Sequence, residues 1–512
     1  MIDRHNLPDD IPALKGIIFQ LLDVIEEQRR QIADLKHQVE CLTHQVQALQ
    51  RHRYGPRSER TSGIKAIAKK TPQEKQAGHG RRKLPDDLPR MRRDHDIDSH
   101  VCQKCGGLLV KIGEIACEQL DAVPPQLYVI DHRRAKYGCR HCRETVVAAD
   151  MPAQPIDKGL AAPGLLAEVL VNKYQDHLPL YRLSQRFWRM GIVLPRSTLC
   201  GWVMACAGLL APLVQRMSKR DLIPCGHLFS DDTPIRVLER EEGAGKTGRF
   251  WIYTGKGNAE FKACTVYDYS PTREGKWPVD FLAVFEGYLQ ADAYAGYDKI
   301  YQDQGQGVKV KENGCWAHVR RPFYECAQGT PEDSLANQGL VFIRLLYKIE
   351  SQARAQKLND KETKLWRQER APPILETFHT WLKSHKDRVL PKSPLAQAIG
   401  YTLNHWEALN AYLLEGFLEI DNNRAERGIR PLAVGRKNYL FVGNDGGGKA
   451  AAVIYSLLET CKQHGVNPWA YLKDVLERIS THPNSQIDEL LPYNWKPSQE
   501  QTSMNRQLKM TA

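Results

Sequence analysis

The sequence predicts a multidomain protein of the α+β class, and three observations support this prediction. An apolar heptad repeat lies near the N-terminus, two Cys-x-x-Cys motifs follow it, and strand-like runs ending in acidic residues precede a long helical stretch. The chain has 512 residues, which is too long for one hydrophobic core. With 42% hydrophobic and 26% charged residues, its composition is that of a globular protein.

The overall charge and the cysteine content indicate the partner and the compartment. A net charge of +12 favours a polyanionic partner such as nucleic acid. We expect no apolar run long enough to span a bilayer, and the N-terminus lacks the layout of a signal peptide, so a cytoplasmic protein without a membrane partner is predicted. The 13 cysteines are spread thinly, which favours a reducing compartment and a metal over disulfides.

The heptad repeat over residues 10–50 predicts a coiled coil, or leucine zipper. Its a and d positions are aliphatic except for Gln28: Leu14, Ile18, Leu21, Ile25, Ile32, Leu35, Val39, Leu42, Val46 and Leu49. β-Branched residues at a with Leu at d favour a parallel two-stranded coil, so we expect self-association as a homodimer or a higher oligomer. An amphipathic helix packed on its own domain is the alternative.

Residues 51–95 predict a basic linker, because Lys and Arg far outnumber Asp and Glu and because Gly, Pro and Ser occur throughout. Such a segment buries little apolar surface, should be mostly disordered alone, and suits contacts with DNA phosphates. Its candidate DNA-binding residues are Arg51, Arg53, Arg57, Arg81, Arg82 and Lys83. A solvated linker without such contacts is the alternative.

The two Cys-x-x-Cys motifs within residues 96–148 predict a zinc ribbon. Cys102, Cys105, Cys139 and Cys142 would supply four thiolates to one tetrahedral Zn²⁺, and a strand-like run over Gln126–Ile130 lies between the pairs. A closed four-cysteine site leaves no position for a substrate, so we assign it no catalysis. Redox-active pairs and plain buried thiols are the alternatives.

Residues 158–220 follow a Pro-rich joint and predict several helices. The order helix, turn, helix is predicted over 181–204, with Ser197 or Thr198 as the N-cap of the second helix. Helix-turn-helix units often contact DNA, although helical pairs of this spacing are also common as scaffold.

Residues 225–322 change to strands and form the first part of a predicted core. Apolar runs predict strands at His227–Ser230, Ile235–Leu238, Phe250–Tyr253, Cys264–Tyr267, Gly287–Gln290 and Gly314–Ala317. The first of these runs ends at Asp231, and the run over Gly287–Gln290 leads to Asp292. This pattern fits an RNase H-like sheet, in which the first and fourth strands hold acidic residues side by side.

The remaining chain is mainly helical. An amphipathic pattern over residues 323–416 predicts a helical insertion, and residues 417–480 form the second part of the core. There the stretch Asp421–Pro431 predicts a helix that is capped by Asp421 or Asn422 and carries Glu426 one turn before Arg430. The tail over residues 481–512 is polar towards its end.

Asp231, Asp292 and Glu426 are the candidate catalytic residues. Two Asp at strand ends and one Glu on a later helix are the ligands that a two-metal phosphoryl-transfer site needs. The alternative for Glu426 is an exposed helix with a Glu426–Arg430 pair.

A Gly-rich stretch over Gly443–Ala450 matches the spacing of a phosphate-binding loop. Ala450 stands where that loop needs a magnesium-binding hydroxyl, so we interpret the stretch as a flexible turn into a helix over Ala451–Gln463.

Taken together, these features resemble the large transposase of the insertion-sequence sixty-six family of bacterial mobile elements. The resemblance covers nearly the whole chain. Besides the zipper and the cysteine pairs, it rests on Tyr54-Gly55 with Ser58-Glu59-Arg60, Asp231-Asp232-Thr233, Leu289-Gln290-Ala291-Asp292, Gly314-Cys315-Trp316-Ala317-His318, Asp421–Pro431 and Gly435-Arg436-Lys437-Asn438. Two departures are visible: Asp232 stands where the family usually has Glu, and Pro56-Arg57 replaces two basic residues.

The resemblance implies a DDE transposase, in which Asp231, Asp292 and Glu426 hold Mg²⁺ or Mn²⁺. It would bind the element ends, cut DNA phosphodiesters and transfer the 3′ ends to target DNA. The bacterial nucleoid is the expected location, and accessory proteins of the same element are possible partners. Additional residues expected to hold the DNA backbone are Arg320, Arg321, Arg427, Arg430, Arg436 and Lys437.

Two other functions fit many of the same features. A DNA-binding regulator without catalysis would use the zipper, linker, zinc ribbon and helix-turn-helix equally well, although it would gain nothing from carboxylates beside phosphates. A metal-dependent nuclease of the same fold would cut DNA without joining it. A strand-joining assay separates the nuclease from the transposase.

Overall fold

A computed structural model describes residues 10–54, 104, 127–138, 146–238, 245–302 and 309–497. The chain divides into two compact units. One unit comprises Met1–Ser62 and Gln215–Glu459, and the other comprises Gly63–Val214 and Thr460–Ala512.

The N-terminal heptad repeat forms one long helix, α1 (Ile11–Tyr54). Among the apolar a and d side chains whose exposure is described, Leu14 is half-buried, and the others are between 45% and 59% exposed: Ile18, Leu21, Ile25, Ile32 and Leu35. The predicted helix is therefore confirmed, while the coiled coil stays a prediction. The helix continues through Tyr54, so Arg51 and Arg53 lie on its last turns and not in an irregular linker.

The next described elements belong to the second unit. A two-stranded antiparallel sheet pairs β1 (Lys136–Gly138) with β2 (Val146–Ala148), and three helices follow: α2 (Pro163–Tyr174), α3 (Leu180–Arg189) and α4 (Arg196–Met217). The strand predicted at Gln126–Ile130 is wrong for Leu127–Ile130, which have no regular structure. Their side chains are all exposed, so no buried face supports a strand there.

Helices α3 and α4 confirm the predicted helix, turn, helix order. The turn contains Gly191, whose φ of 85° is a backbone conformation that glycine adopts without steric cost. Helix α4 begins at Arg196, so Ser197 and Thr198 lie in its first turn and the predicted cap is wrong.

Helix α4 also corrects the expectation that no apolar run reaches membrane-spanning length. Among the described residues, the stretch Arg196–Cys225 is long and apolar enough to cross a membrane by length and composition, and 44% of its apolar window is buried. A core helix of a soluble protein passes the same test, so this composition is weak evidence for a membrane segment.

A five-stranded mixed sheet forms the centre of the unit that contains Gln215–Glu459. Its strands are β3 (His227–Val237), β4 (Lys246–Gly255), β5 (Cys264–Ser270), β6 (Gly287–Gln290) and β7 (Val310–Asn313). Their spatial order is β5-β4-β3-β6-β7, with antiparallel pairing from β5 to β3 and parallel pairing from β3 to β7. Four consecutive residues of β4, Phe250–Tyr253, are all buried, as expected for a strand covered on both faces.

Two predicted strand boundaries in this sheet are corrected. Asp231 does not end a strand, because β3 runs without interruption through Asp232, Thr233 and Pro234. The strand predicted at Gly314–Ala317 lies earlier, at β7, and Trp316 begins a helix. Two short helices lie in the connections of this sheet. Helix α5 (Lys276–Phe281) lies between β5 and β6, and α6 (Asp298–Tyr301) lies between β6 and β7.

The predicted helical segment consists of α7 (Trp316–Ala327), α8 (Leu335–Ala355), α9 (Asp360–Arg370), α10 (Pro372–Lys386), α11 (Pro394–Asn404) and α12 (Trp406–Asn410). These helices share a hydrophobic core that includes Trp316, Phe323 and Phe378. Within it, the buried guanidinium of Arg367 donates to both carboxylate oxygens of Glu350, at 2.7 and 2.8 Å.

Two helices follow the insertion, α13 (Asn423–Tyr439) and α14 (Asp445–Gln463). Helix α14 begins earlier than the predicted Ala451, because its Gly-rich first turns are packed against another element. A Cβ at Gly448 would lie 2.5 Å from the ring of Tyr269, and Asn444 accepts a hydrogen bond from the Gly447 amide at 2.8 Å. In the second unit, the last helix, α15 (Pro468–Arg478), packs against α2.

Candidate active site

Asp231 and Asp292 are brought together by the pairing of two neighbouring strands. Asp231 lies within β3, and Asp292 follows the last residue of β6 by two positions. The two strands are parallel, and Phe229 on β3 pairs with Gln290 on β6. Asp231 and Asp292 each lie two residues beyond a member of this pair, so they are at equivalent positions along neighbouring strands. Burial raises the pKa of Asp231, and the negative charge of Asp292 acts in the same direction.

Glu426 reaches the same region from α13, in the first turn of that helix. The N-cap residue Asn422 does not cap the helix with its side chain, which instead donates to the Ser230 carbonyl at 2.8 Å. Asp421 caps the helix instead, because its carboxylate accepts a hydrogen bond from the Asn423 amide at 3.2 Å. The start of α13 is therefore fixed to the residue that precedes Asp231.

Further contacts hold α13 along the face of the sheet that carries Asp231. Asp231 is paired with Ile252 on β4, and a Cβ at Gly428 would lie 2.2 Å from the Cδ1 atom of Ile252. The Tyr267 hydroxyl donates to the Gly428 carbonyl at 2.6 Å. A side chain at position 428 would force the buried Ile252 side chain to move, so glycine allows this close approach, which brings the turn that carries Glu426 towards Asp231.

The electrostatics of the site reflect this convergence. Burial raises the pKa of Asp231 to about 8, and the negative charges of Asp292, Asp232 and Glu426 act in the same direction. Burial also raises the pKa of Asp292, while the nearby charges of His318 and Arg273 oppose that rise. Burial thus disfavours the ionised forms of Asp231 and Asp292, and the charge of Asp232 raises the pKa of both residues.

The donor set fits divalent cations of the Mg²⁺ type, which prefer carboxylate oxygens. The Oδ1 atom of Asp292 is buried and has no hydrogen-bond partner, so this oxygen fits the role of a cation ligand. Mutual repulsion among the three groups is the other feature that a bound cation relieves. Within the part of the chain that the structure describes, no three His, Cys, Asp or Glu side chains already form a compact metal-binding group.

Asp232 lies on the opposite face of the sheet from Asp231. Its carboxylate accepts from Arg249 at 2.8 Å and from Arg273 at 2.9 Å, and its side chain is only 3% exposed. It is paired across β4 with Trp251, whose ring contacts Tyr297 on that same face. Strand alternation therefore separates the two adjacent carboxyl groups.

Sequence analysis did not single out His318 or Arg273 as site residues. The charges of both side chains lower the pKa of Asp292, and the Nδ1 atom of His318 is buried without a partner. The only sequence signal for His318 was its place in the motif Gly314–His318, three residues after the buried Cys315. Arg273 lies in the loop after β5, where no local pattern marks it.

The basic residues predicted to hold DNA are only partly gathered around this site. On α13, Arg427, Arg430 and Lys437 are exposed, whereas Arg436 donates to the Thr233 hydroxyl at 2.6 Å and helps fix the helix to β3. Among the described residues, neither Arg427 nor Arg430 forms an ion pair with Glu426.

The other basic residues predicted to bind DNA lie on α1, on α7 or outside the residues that the structure describes. Arg320 stacks on Tyr324 with 5.1 Å between its guanidinium carbon and the ring centroid, and the neighbouring Arg321 is exposed. Outside the described residues lie Arg57, Arg81, Arg82 and Lys83, together with the zinc ligands Cys102, Cys105, Cys139 and Cys142.

Four family sequence patterns match the chain. One described as "Transposase IS66 family" matches residues 158–450, and "IS66 C-terminal element" matches residues 456–493. A pattern described as "zinc-finger binding domain of transposase IS66" matches residues 99–143, and "Transposase C of IS166 homeodomain" matches residues 41–93.

Similar full-length relatives occur in Sinorhizobium fredii. Uncharacterized protein y4jD is 37% identical over 428 residues, which cover 81% of this chain and 82% of that protein. Uncharacterized protein y4qI is 32% identical over 538 residues, which cover 96% of this chain and 98% of that protein. The first family match spans more than half of the chain and includes Asp231, Asp292 and Glu426. The chain belongs to the transposase family of insertion sequence sixty-six, IS66.

Proposed function

We propose that the chain is a DDE transposase that binds the ends of its own mobile element, cuts DNA there and joins the ends to a target. Membership of a transposase family with zinc-finger and homeodomain-type DNA-binding segments supports a DNA-processing function. The observation that supports the finer proposal is geometric: the parallel register of β3 and β6 sets Asp231 and Asp292 on adjacent strands, and the start of α13, which carries Glu426, is hydrogen-bonded to Ser230.

The sheet supports the same proposal. Its order β5-β4-β3-β6-β7, with the antiparallel pairs on one side and the parallel pairs on the other, is the arrangement expected of an RNase H-like core. In that interpretation β3 is the first strand and β6 the fourth, so Asp231 and Asp292 belong to adjacent strands. Helix α13 then supplies the third carboxylate from one face.

Asp231, Asp292 and Glu426 would hold the divalent cations. Two Mg²⁺ or Mn²⁺ ions supply Lewis-acid polarisation of the phosphodiester and a strong oxygen nucleophile when they are bound. The unpartnered Oδ1 of Asp292 offers one ligand atom, and the buried setting of Asp231 gives its charge a strong interaction with a cation. Asn422 and Gly428 would fix the approach of Glu426 through their contacts with β3, β4 and β5.

Exposed basic side chains beside the site would bind the DNA backbone. Arg427 and Arg430 lie one and four residues after Glu426 on α13, and Lys437 lies further along the helix. Arginine and lysine contacts of this kind position phosphates without reading sequence. The four cysteines near residues 99–143 would hold one structural Zn²⁺, in keeping with the zinc-finger match.

The test uses the full-length protein with labelled DNA taken from the borders of the element that encodes it, a supercoiled target plasmid, and Mg²⁺ or Mn²⁺. We expect cleavage at the element end and joined products, both lost in Asp231→Asn. Metal-independent binding without cleavage would favour a DNA-binding regulator. Cleavage that never yields joined products would favour a nuclease, and either result overturns the proposal.

A further inference from the structure

The buried carboxylate of Asp232 pairs with two partly exposed arginines, and the proposed catalytic residues do not explain this arrangement. The Arg249 guanidinium donates to its Oδ2 atom at 2.8 Å, while Arg273 donates to Oδ1 from Nη2 at 2.9 Å and from Nε at 3.2 Å. A nearly buried carboxylate is costly unless it is fully paired, so this arrangement restrains both arginines. Arg273 is the informative one, because it lies in the loop after β5.

From Arg273 the contacts continue to Tyr294. The guanidinium carbon lies 4.1 Å from the centroid of the Tyr294 ring, and the Tyr294 hydroxyl donates to the Arg273 carbonyl. The backbones of the two loops also meet, since a Cβ at Gly275 would lie 2.6 Å from the Gly296 carbonyl oxygen. The loop after β5 and the segment after β6 are therefore packed together with no space between them.

Tyr294 in turn fixes the backbone of Asp292. Its amide donates to the Asp292 carbonyl at 2.7 Å, closing a tight turn directly after the carboxylate-bearing residue. Further along the same segment, the Tyr297 and Ser230 hydroxyls are 2.8 Å apart. The segment that carries Asp292 is thus tied to β3 at two points: directly at Ser230, and at Asp232 by way of Arg273.

We propose that Asp232 and Arg273 are positioning residues that hold the Asp292 carboxylate in place for a divalent cation. Asp232 acts through Arg273, and Arg273 acts through Tyr294 on the turn that begins at Asp292. The same pair keeps the Arg273 guanidinium on Asp232, so that this cation does not compete with a metal ion for Asp292. The inference rests on the proposed metal-binding role of Asp231, Asp292 and Glu426.

The structure offers a closely matched pair of variants. Arg273→Lys keeps the positive charge but removes the planar fork that pairs with Asp232 and stacks on Tyr294. Arg367→Lys makes the same change at the buried Glu350 pair in the helical insertion, where the guanidinium also lies over a tyrosine ring, that of Tyr412, at 5.3 Å. Both variants lose two guanidinium N–H donors to a buried carboxylate: Arg273 gives both to one oxygen of Asp232, and Arg367 gives one to each oxygen of Glu350. Arg367 is buried and Arg273 is 42% exposed, so the control variant is the more disruptive of the two, and only the Arg273 contact leads to Asp292.

Two readouts are measured on full-length protein. Mn²⁺ binding without DNA is followed by the paramagnetic resonance signal of free Mn²⁺, and DNA cleavage is measured as a function of Mn²⁺ concentration. For Arg273→Lys we expect the Mn²⁺ dissociation constant and the half-saturating concentration to rise by about tenfold, the usual effect of losing a residue that orients a metal ligand. The rate at saturating Mn²⁺ should change much less. Arg367→Lys should lower the melting temperature and leave both Mn²⁺ values unchanged.

The outcomes separate this inference from the proposed function. An unchanged Mn²⁺ affinity in Arg273→Lys, with active wild-type protein, overturns the positioning role alone. An equal shift in Arg367→Lys also overturns it, because the effect would then follow from general destabilisation. Wild-type protein that binds no Mn²⁺ and cuts no DNA overturns both the proposed function and the positioning role.

Discussion

Asp231 and Asp232 are adjacent on β3, yet their carboxyl groups face opposite sides of the central sheet. Asp231 lies on the side covered by α13 and is coupled to Glu426, whereas Asp232 is paired with Arg249 and Arg273 on the other side. Because alternate residues of a strand point to opposite faces, only Asp231 of this pair lies on the side of the sheet that α13 covers. The two residues should therefore respond differently to substitution.

The first prediction compares Asp231→Asn with Asp232→Ala. Asp231→Asn should abolish both cleavage and strand transfer, since it removes a proposed metal ligand without changing the shape of the side chain. Asp232→Ala should be milder, with a loss of about 10- to 100-fold at limiting metal that excess metal largely restores. Quantified cleavage products over a metal titration check this. Equal loss in both variants at saturating metal would contradict the assignment of Asp231 over Asp232.

The second prediction concerns the stability of the metal-free protein. Burial and the neighbouring carboxylates raise the pKa of Asp231 to about 8 in the folded state, from its ordinary value of 3.8. The folded state therefore retains a proton that the unfolded state loses. The stability that this group contributes is fully present below pH 3.8 and is lost as pH rises towards 8.

Asp231→Asn lacks this titration, so in EDTA its unfolding free energy relative to wild type should increase from pH 5 to pH 8. For one proton, the unfolding free energy of the variant relative to wild type can increase by at most about 1.4 kcal/mol per pH unit. Denaturant unfolding of both proteins at several pH values measures it. A constant difference between the two proteins across this range would show that Asp231 ionises normally in the fold.

The third prediction concerns self-association through α1. The a and d side chains of Ile18, Leu21 and Ile25 are about half-exposed, and apolar residues at this spacing bury themselves by pairing with another helix. A peptide of residues 11–54 should gain helicity with concentration and sediment as a dimer or larger. Changing Ile18 and Ile25 to Asp should abolish this behaviour, whereas the same change at two exposed polar positions, Glu26 and Gln31, should not. A monomeric wild-type peptide at high concentration would refute the coiled coil.

The fourth prediction concerns zinc, whose proposed ligands lie outside the described residues. Metal analysis of the purified protein should find about one Zn²⁺ per chain, and Cys102→Ser should reduce it sharply, because a structural site rarely survives the loss of one thiolate. Cys200→Ser, at an exposed cysteine of α4, is the matched control and should retain the metal. Zinc-free native protein with four freely reactive thiols at positions 102, 105, 139 and 142 would refute the ribbon.

The sequence was sufficient to predict β3, β4, β5 and β6 and the helices after the sheet, because their apolar patterns are strong. The last strand was wrong, since β7 lies at Val310–Asn313 and not at Gly314–Ala317. The prediction failed where contacts from distant residues override local preferences. Asp232, Thr233 and Pro234 resemble a turn, but β3 continues through them because Arg249, Arg273 and Arg436 satisfy the polar side chains. No local pattern identifies such partners.

The Gly-rich start of α14 illustrates the same limit. Glycine disfavours a helix by its own conformational freedom, so a flexible turn was the reasonable prediction. In the fold, the ring of Tyr269 occupies the space that a side chain at Gly448 would need, and Asp445 accepts a hydrogen bond from the Tyr269 hydroxyl at 2.6 Å. Packing against β5 therefore selects both the glycine and the helix.

The most direct test of the central claim is the activity of Glu426→Ala in an assay that measures end binding, cleavage and strand transfer on the same DNA. If Glu426 completes a metal site with Asp231 and Asp292, cleavage and joining should both be lost while binding to the element ends is retained, since binding depends on Lys and Arg elsewhere. An exposed-helix Glu contributes only about 0.3–0.5 kcal/mol through a salt bridge, so a merely structural role predicts a folded and active protein. Full cleavage and joining by Glu426→Ala would contradict the assignment of these three carboxylates.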